Sequence, residues 1–233
     1  MRRFYSIRIG SGFTLIEILL TIAIAAALGA MAFPALAQAR ERARSATCAT
    51  KLKSIGIGFH LYAQDHDSEL PRSFHSAGAY SQPGWATSIS PYLGAPPADS
   101  PEDWRLVVQR HFRCPSDPSV DPMVYSYGLN VFFELDPDGD DYVGSPATWR
   151  RLIQIPTPSR TILLAETRPI AFGDHFMCHQ WSGINGAKNA LAFARHLKQS
   201  NYLFADGHVE TLPVELTFNP AQALNLWNPS LAK

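Results

Sequence analysis

His196, Asp206 and His208 bring two imidazoles and a carboxylate together near the C-terminal end. That set could hold a metal or a small anion, or move a proton. No nucleophile with an evident base accompanies it, so acyl or glycosyl transfer has no footing there. A structural reading competes. Asp206-Gly207 suits a type I′ hairpin turn, because both residue types tolerate positive φ. His196 would then pack beside the hairpin and donate to a backbone carbonyl. A second candidate is Glu134-Leu-Asp136-Pro-Asp138-Gly139-Asp140-Asp141, where alternating carboxylates precede a glycine as at the start of an EF-hand loop. Glutamate opens it, Pro137 stiffens it, and Ser145 stands where the bidentate glutamate would be. Either Asp136, Asp138 and Asp140 hold calcium in another geometry, or the run is a solvated acidic turn. Asp174-His175 and Cys178-His179 form a compact polar cluster, but zinc usually needs four well-placed ligands. A surface loop is expected there. Cys48, Cys114 and Cys178 permit one disulfide and leave one thiol, with the connectivity open.

The remaining reactive group is Glu17, alone at the mouth of an uncharged run from Ile18 to Ala37. Twenty residues at about 1.5 Å each span about 30 Å, the thickness of a hydrocarbon core. A carboxylate in that setting costs about 2.5–3.5 kcal/mol and asks for a partner. A cleaved signal peptide, with Ala35 and Ala37 imitating its site, and an ordinary signal anchor are the competing readings. Neither explains a glycine and a glutamate ahead of the run. Arg2, Arg3 and Arg8 favour a cytoplasmic N-terminus, yet Arg40, Arg42, Arg44, Lys51 and Lys53 lie beyond the span. Loop charge alone leaves the orientation ambiguous.

Four stretches must position these groups: 1–12, a leader; 13–39, an apolar helix; 40–66, an amphipathic helix; and 67–233, a globular domain. Cys48, Leu52, Ile55, Phe59 and Tyr62 recur every three or four residues and make one apolar stripe. Gly56 and Gly58 allow some bending there, and Asp65, Asp67 and Leu70-Pro71 end the helix. Val124–Asn130 and Thr161–Glu166 read as strands, and Tyr202–Ala205 with His208–Leu212 as a hairpin. The expected fold is α+β: a long N-terminal helix laid across a small, mostly antiparallel sheet with long loops. Formal charge is zero and the pI about 7.1, so no basic field points to nucleic acid.

Gly12-Phe13-Thr14-Leu15-Ile16-Glu17 and the run behind it resemble the type IV prepilin signature. The resemblance implies cleavage after Gly12 by a prepilin peptidase and methylation of the new Phe13 amine. It further implies that Glu17 meets that amine on a neighbouring subunit, that Pro34 kinks the helix, and that the N-terminus faces the cytoplasm with the domain outside the inner membrane. A second likeness covers nearly the whole chain. His196 followed after nine residues by Asp206-Gly207 resembles the prepilin-type processing-associated His-X9-Asp-Gly proteins. Lys51–Gly56, Trp85 with Pro91-Tyr-Leu93, Phe112–Asp117 and Tyr127–Asn130 agree with it. Cys48 and Cys114 lie within or beside those motifs, which favours them as the disulfide. The implied function is structural, not enzymatic: a pseudopilin-like subunit of a type II secretion pseudopilus or a type IV pilus-like filament. Its partners would be the peptidase/methyltransferase, sister subunits and the inner membrane. The alternative is a membrane-tethered binding module for carbohydrate, metal or a secreted protein, with Trp85, Trp104, Trp149, Trp181 and Trp227 as a carbohydrate platform.

Overall fold

A computed structural model describes residues 13–136, 139–140, 149–169 and 173–233, with backbone alone for 135, 136, 139 and 140. The leader, with Gly12, lies outside them. The chain divides into two compact units, Met1–Arg40 and Glu41–Lys233.

Helix α1 (Leu15–Asp65) contributes to both units and continues through Pro34. Its first part contains an eighteen-residue window of mean hydropathy 2.3, none of it buried, long and apolar enough to cross a membrane once. That composition is compatible with a single-pass anchor. Thr14 closes the N-terminus of α1. Its backbone N–H and hydroxyl donate to Glu17 Oε2 at 2.8 and 2.7 Å, and the Glu17 N–H donates back to Thr14 Oγ1 at 3.3 Å. This reciprocal pair is a capping box, which satisfies helix N–H groups that have no carbonyl to meet.

In the second unit the apolar stripe of α1 is the wall of the core: Cys48, Leu52, Ile55 and Phe59 are fully buried. Gly56 and Gly58 mark close approach, where the sequence suggested bending. A Cβ on Gly56 would stand 2.7 Å from a methyl of Leu203. After α1 come the short helices α2 (Phe74–Ala79), α3 (Trp85–Ile89) and α4 (Pro101–Val107). Ser73 caps α2 and Ser100 caps α4, each through its side-chain oxygen.

The strands are β1 (Tyr127–Asn130), β2 (Leu135–Asp136), β3 (Gly139–Asp140), β4 (Ile162–Glu166) and β5 (His175–Phe176). Helix α5 (Ile184–Ala190) precedes β6 (Ser200–Phe204), β7 (Val209–Leu212), β8 (Phe218–Asn219) and β9 (Leu224–Asn225). The main sheet has the order β5-β1-β4-β6-β7 and is antiparallel except where β5 joins β1. This is the expected α+β architecture.

Both faces of the sheet are covered, so β1, β4 and β6 are buried along their whole lengths. Leu129, Leu163, Leu164 and Leu203 face the core that holds the α1 stripe, Trp85 and Phe112. Ile162, Ala165, Tyr202 and Phe204 face a second core built from Phe176, Ala187, Leu191, Val214, Phe218 and Trp227. A register shift between Ile162 and Leu164 lets neighbouring Leu163 and Leu164 serve the same face. The second layer was not anticipated from sequence, because its segments are too short to show a period.

The tryptophans belong to these cores. Trp85 and Trp227 have no exposed surface, while Trp104, Trp149 and Trp181 pack against the two clusters half-buried. A carbohydrate platform needs exposed rings, which Trp85 and Trp227 do not offer.

Candidate functional site

The two halves of the His196/Asp206-Gly207 motif lie at different places on α1. Asp206-Gly207 closes the β6–β7 hairpin, but as a three-residue loop, where the sequence suggested a two-residue type I′ turn. The Gly207 N–H donates to Phe204 O and the Phe204 N–H to His208 O, each at 2.9 Å. Within this loop only Gly207 has positive φ, at 86°, which is a type I turn followed by a glycine bulge. Asp206 Oδ1 accepts from the His208 N–H at 3.0 Å and contacts His208 Nδ1 at 2.5 Å. Burial alone would raise the Asp206 pKa, but these bonds outweigh it and lower it. The turn sits on α1: Lys53 Nζ donates to Gly207 O at 2.6 Å, and a Cβ on Gly207 would meet the His60 ring at 3.2 Å.

His196 is held elsewhere. Its ring lies between two carboxylates, with Nδ1 2.7 Å from Glu41 Oε1 on α1 and Nε2 2.8 Å from Glu166 Oε1 at the end of β4. Ionised carboxylates only accept, so this setting favours a ring that donates from both nitrogens, the cationic form. Desolvation would lower its pKa; the hydrogen bonds and charges of Glu166 and Glu41 override that and raise it. The residue is only 2% exposed. This differs from the expected carbonyl partner, and the reason is local. Glu166 ends a strand buried on both faces, where a carboxylate must find donors. It finds His196, the Ser200 hydroxyl at 3.0 Å and the Asn201 N–H at 2.9 Å. A shared ligand set of His196, Asp206 and His208 therefore does not form. Glu41 lies twelve residues before Lys53 on α1, about 18 Å along the axis. The motif grips the helix at both points.

More polar groups gather around His196. Glu41 Oε1 also accepts from the Ser116 hydroxyl at 2.8 Å. Beside His196, Arg195 pairs with Asp117 at 3.1 Å, both side chains almost fully buried, and donates to Ser126 O and Thr167 O. Cys114, two residues before Ser116, is disulfide-bonded to Cys48 on α1. Its sulfur lies 3.5 Å from His196 Nε2. Sequence reasoning named His196, Cys48 and Cys114 but missed Glu41 and Glu166. The available signals were an acid alone among the basic residues after the span, and a charge ending the apolar run Ile162–Ala165.

The other candidates lie apart. Asp136 and Asp140 fall on β2 and β3, which pair as a short antiparallel ribbon; Asp138 lies outside the described residues. Asp174 and Cys178 are buried, not in a surface loop. Asp174 accepts from the Phe74 N–H at 2.7 Å and contacts His175 Nδ1 at 2.8 Å, and its carbonyl accepts from Trp85 Nε1. A cleft of about 320 Å³ opens there, lined by Phe74, Met123, Tyr125 and Asp174 among others. It shares no residue with the His196 cluster. Glu134, also buried, accepts from the hydroxyls of Ser73 and Ser76 at 2.7 and 2.6 Å and from the Ser73 N–H.

A family model described as a protein of unknown function (DUF1559) matches residues 37–174, more than half of the chain. No curated protein and no solved structure matches. The matched stretch contains Glu41, Cys48, Cys114 and Glu166, while His196 and the Asp206-Gly207 turn follow it.

Proposed function

This chain belongs to the DUF1559 family, and on that footing we propose that it is a structural subunit of pseudopilin type, of the His-X9-Asp-Gly group, anchored once in the bacterial inner membrane. The observation that carries the reading is the first part of α1: an uncharged, exposed apolar helix opened by one carboxylate. Lipid and sister helices are what such a surface matches. Prepilin peptidase cuts after Gly12 and methylates the Phe13 amine. Among the described residues, the Glu17 carboxylate is engaged only through Oε2, by Thr14. Oε1 is left to receive the Phe13 amine of a neighbouring subunit. The domain lies outside the membrane, and no reaction is assigned to it.

The grip on α1 at Glu41 and at Lys53 supports a structural role, since it fixes the domain on its own helix. Mass spectrometry of the native protein tests the processing. The expected N-terminus is Phe13 carrying one methyl group, and an intact leader overturns the reading. Glu17→Val is expected to be processed normally yet to lose co-assembly with sister subunits in membrane crosslinking. Unchanged crosslinking removes the proposed role of the carboxylate.

A further inference from the structure

Four metal-ligating side chains converge at the disulfide, its two cysteines among them. Cys48, Cys114, Glu166 and His196 are all buried, and each offers a donor atom within 4.8 Å of the others. They come from α1, the segment after α4, the end of β4 and the segment before β6. Two thiolates with an imidazole and a carboxylate are a zinc donor set. The spacing suits the ion. Zn–S at about 2.3 Å and Zn–N at about 2.0 Å place tetrahedral sulfur and nitrogen ligands about 3.5 Å apart, and Cys114 Sγ to His196 Nε2 is 3.5 Å.

The surroundings are also those of a metal site. His196 turns its other nitrogen to Glu41 at 2.7 Å, which fixes Nε2 as the coordinating atom once its proton leaves. Glu166 keeps Oε2 on Ser200 and Asn201 and presents Oε1 to His196. Only the bond between the two sulfurs keeps them from acting as ligands.

We propose that the dithiol form of this chain binds one zinc ion through Cys48, Cys114, His196 and Glu166, so that crosslink and metal are alternative closures of one site. A thiol reductant opens the bond: two of its thiols give their electrons and protons, leaving two cysteine thiols and the oxidised reductant. Zinc then replaces both thiol protons and the Nε2 proton of His196, releasing three protons. The sulfurs separate by side-chain rotation, and Glu41 keeps the Nδ1 proton. The inference stands whether or not the chain assembles into a filament.

The test uses the full chain in detergent with Cys178→Ala, which removes the third thiol. The reduced protein is titrated with Co²⁺, then with Zn²⁺. One equivalent of Co²⁺ should give the ligand-field bands of a tetrahedral thiolate site, and Zn²⁺ should erase them. The oxidised protein should give none, and Glu41→Gln should weaken binding by about 10–100-fold. A reduced, folded chain without these bands overturns the proposal, as do bands that survive Cys48→Ser. If reduction alone abolishes the near-ultraviolet dichroism of the buried tryptophans, zinc must restore it; failure to do so also sinks the site.

Discussion

Replacing His196 by glutamine in the oxidised protein tests the account of the buried cluster most directly. The substitution removes a cation that faces Glu41 at 2.7 Å and Glu166 at 2.8 Å. Glu166 has no exposed side-chain surface, whereas the Glu41 side chain is 19% exposed. The damage therefore concentrates on Glu166. Removing one partner of a buried ion pair costs about 3–5 kcal/mol. Glu166 retains the Ser200 hydroxyl and Asn201 N–H, which places the expected loss near the lower bound, about 3 kcal/mol. For a chain of this size each kcal/mol moves the melting temperature by about 2–4 °C, so a fall of about 6–12 °C follows. The full chain in detergent would be melted while following near-ultraviolet dichroism, which Trp85 and Trp227 report from the two cores. His196→Gln with Glu166→Gln should recover part of the loss, because no buried charge is then left unpaired, with a coupling of about 1–3 kcal/mol. A melting temperature within about 2 °C of the parent, or strictly additive variants, would refute a charged histidine in that position.

Gly207→Ala forces a Cβ into left-handed backbone at φ 86° and against His60. It should lower stability by about 1–2 kcal/mol in the same melt, with Gly94→Ala comparing strain alone, since nothing crowds that glycine. Asp206→Asn removes an exposed carboxylate whose pKa is held low by its bonds to His208, so its contribution is present above the ordinary aspartate value and lost as pH falls through the lowered one. The variant should be about 0.5 kcal/mol less stable at neutral pH, and the difference should shrink as the carboxylate is protonated in acid; a difference that does not change with falling pH contradicts the assignment.

The helix stripe was legible because a period of three to four residues survives any tertiary context. Cys48, Leu52, Ile55 and Phe59 are buried as the pattern requires. The hairpin was legible and its turn was not. An aspartate-glycine pair serves a two-residue turn and a glycine-bulged one equally, and sequence alone does not report which φ angles are positive. Thr14 and Glu17 carry the spacing of a capping box, a signal overshadowed by the membrane-length run that follows. Glu41 and Glu166 were unreadable as a pair, for nothing local says which of twenty acidic residues a distant histidine will meet. Short segments such as Val214–Leu216 and Phe218–Asn219 hide their covering role for the same reason.

The double hold on α1 has a mechanical consequence. A rod fastened at one point swivels, but one fastened at Glu41 and again at Lys53 does not. Torque entering at Glu41 would pass into strands β4 and β6 instead of dissipating in a hinge. From that residue onward, helix and sheet would turn as one piece.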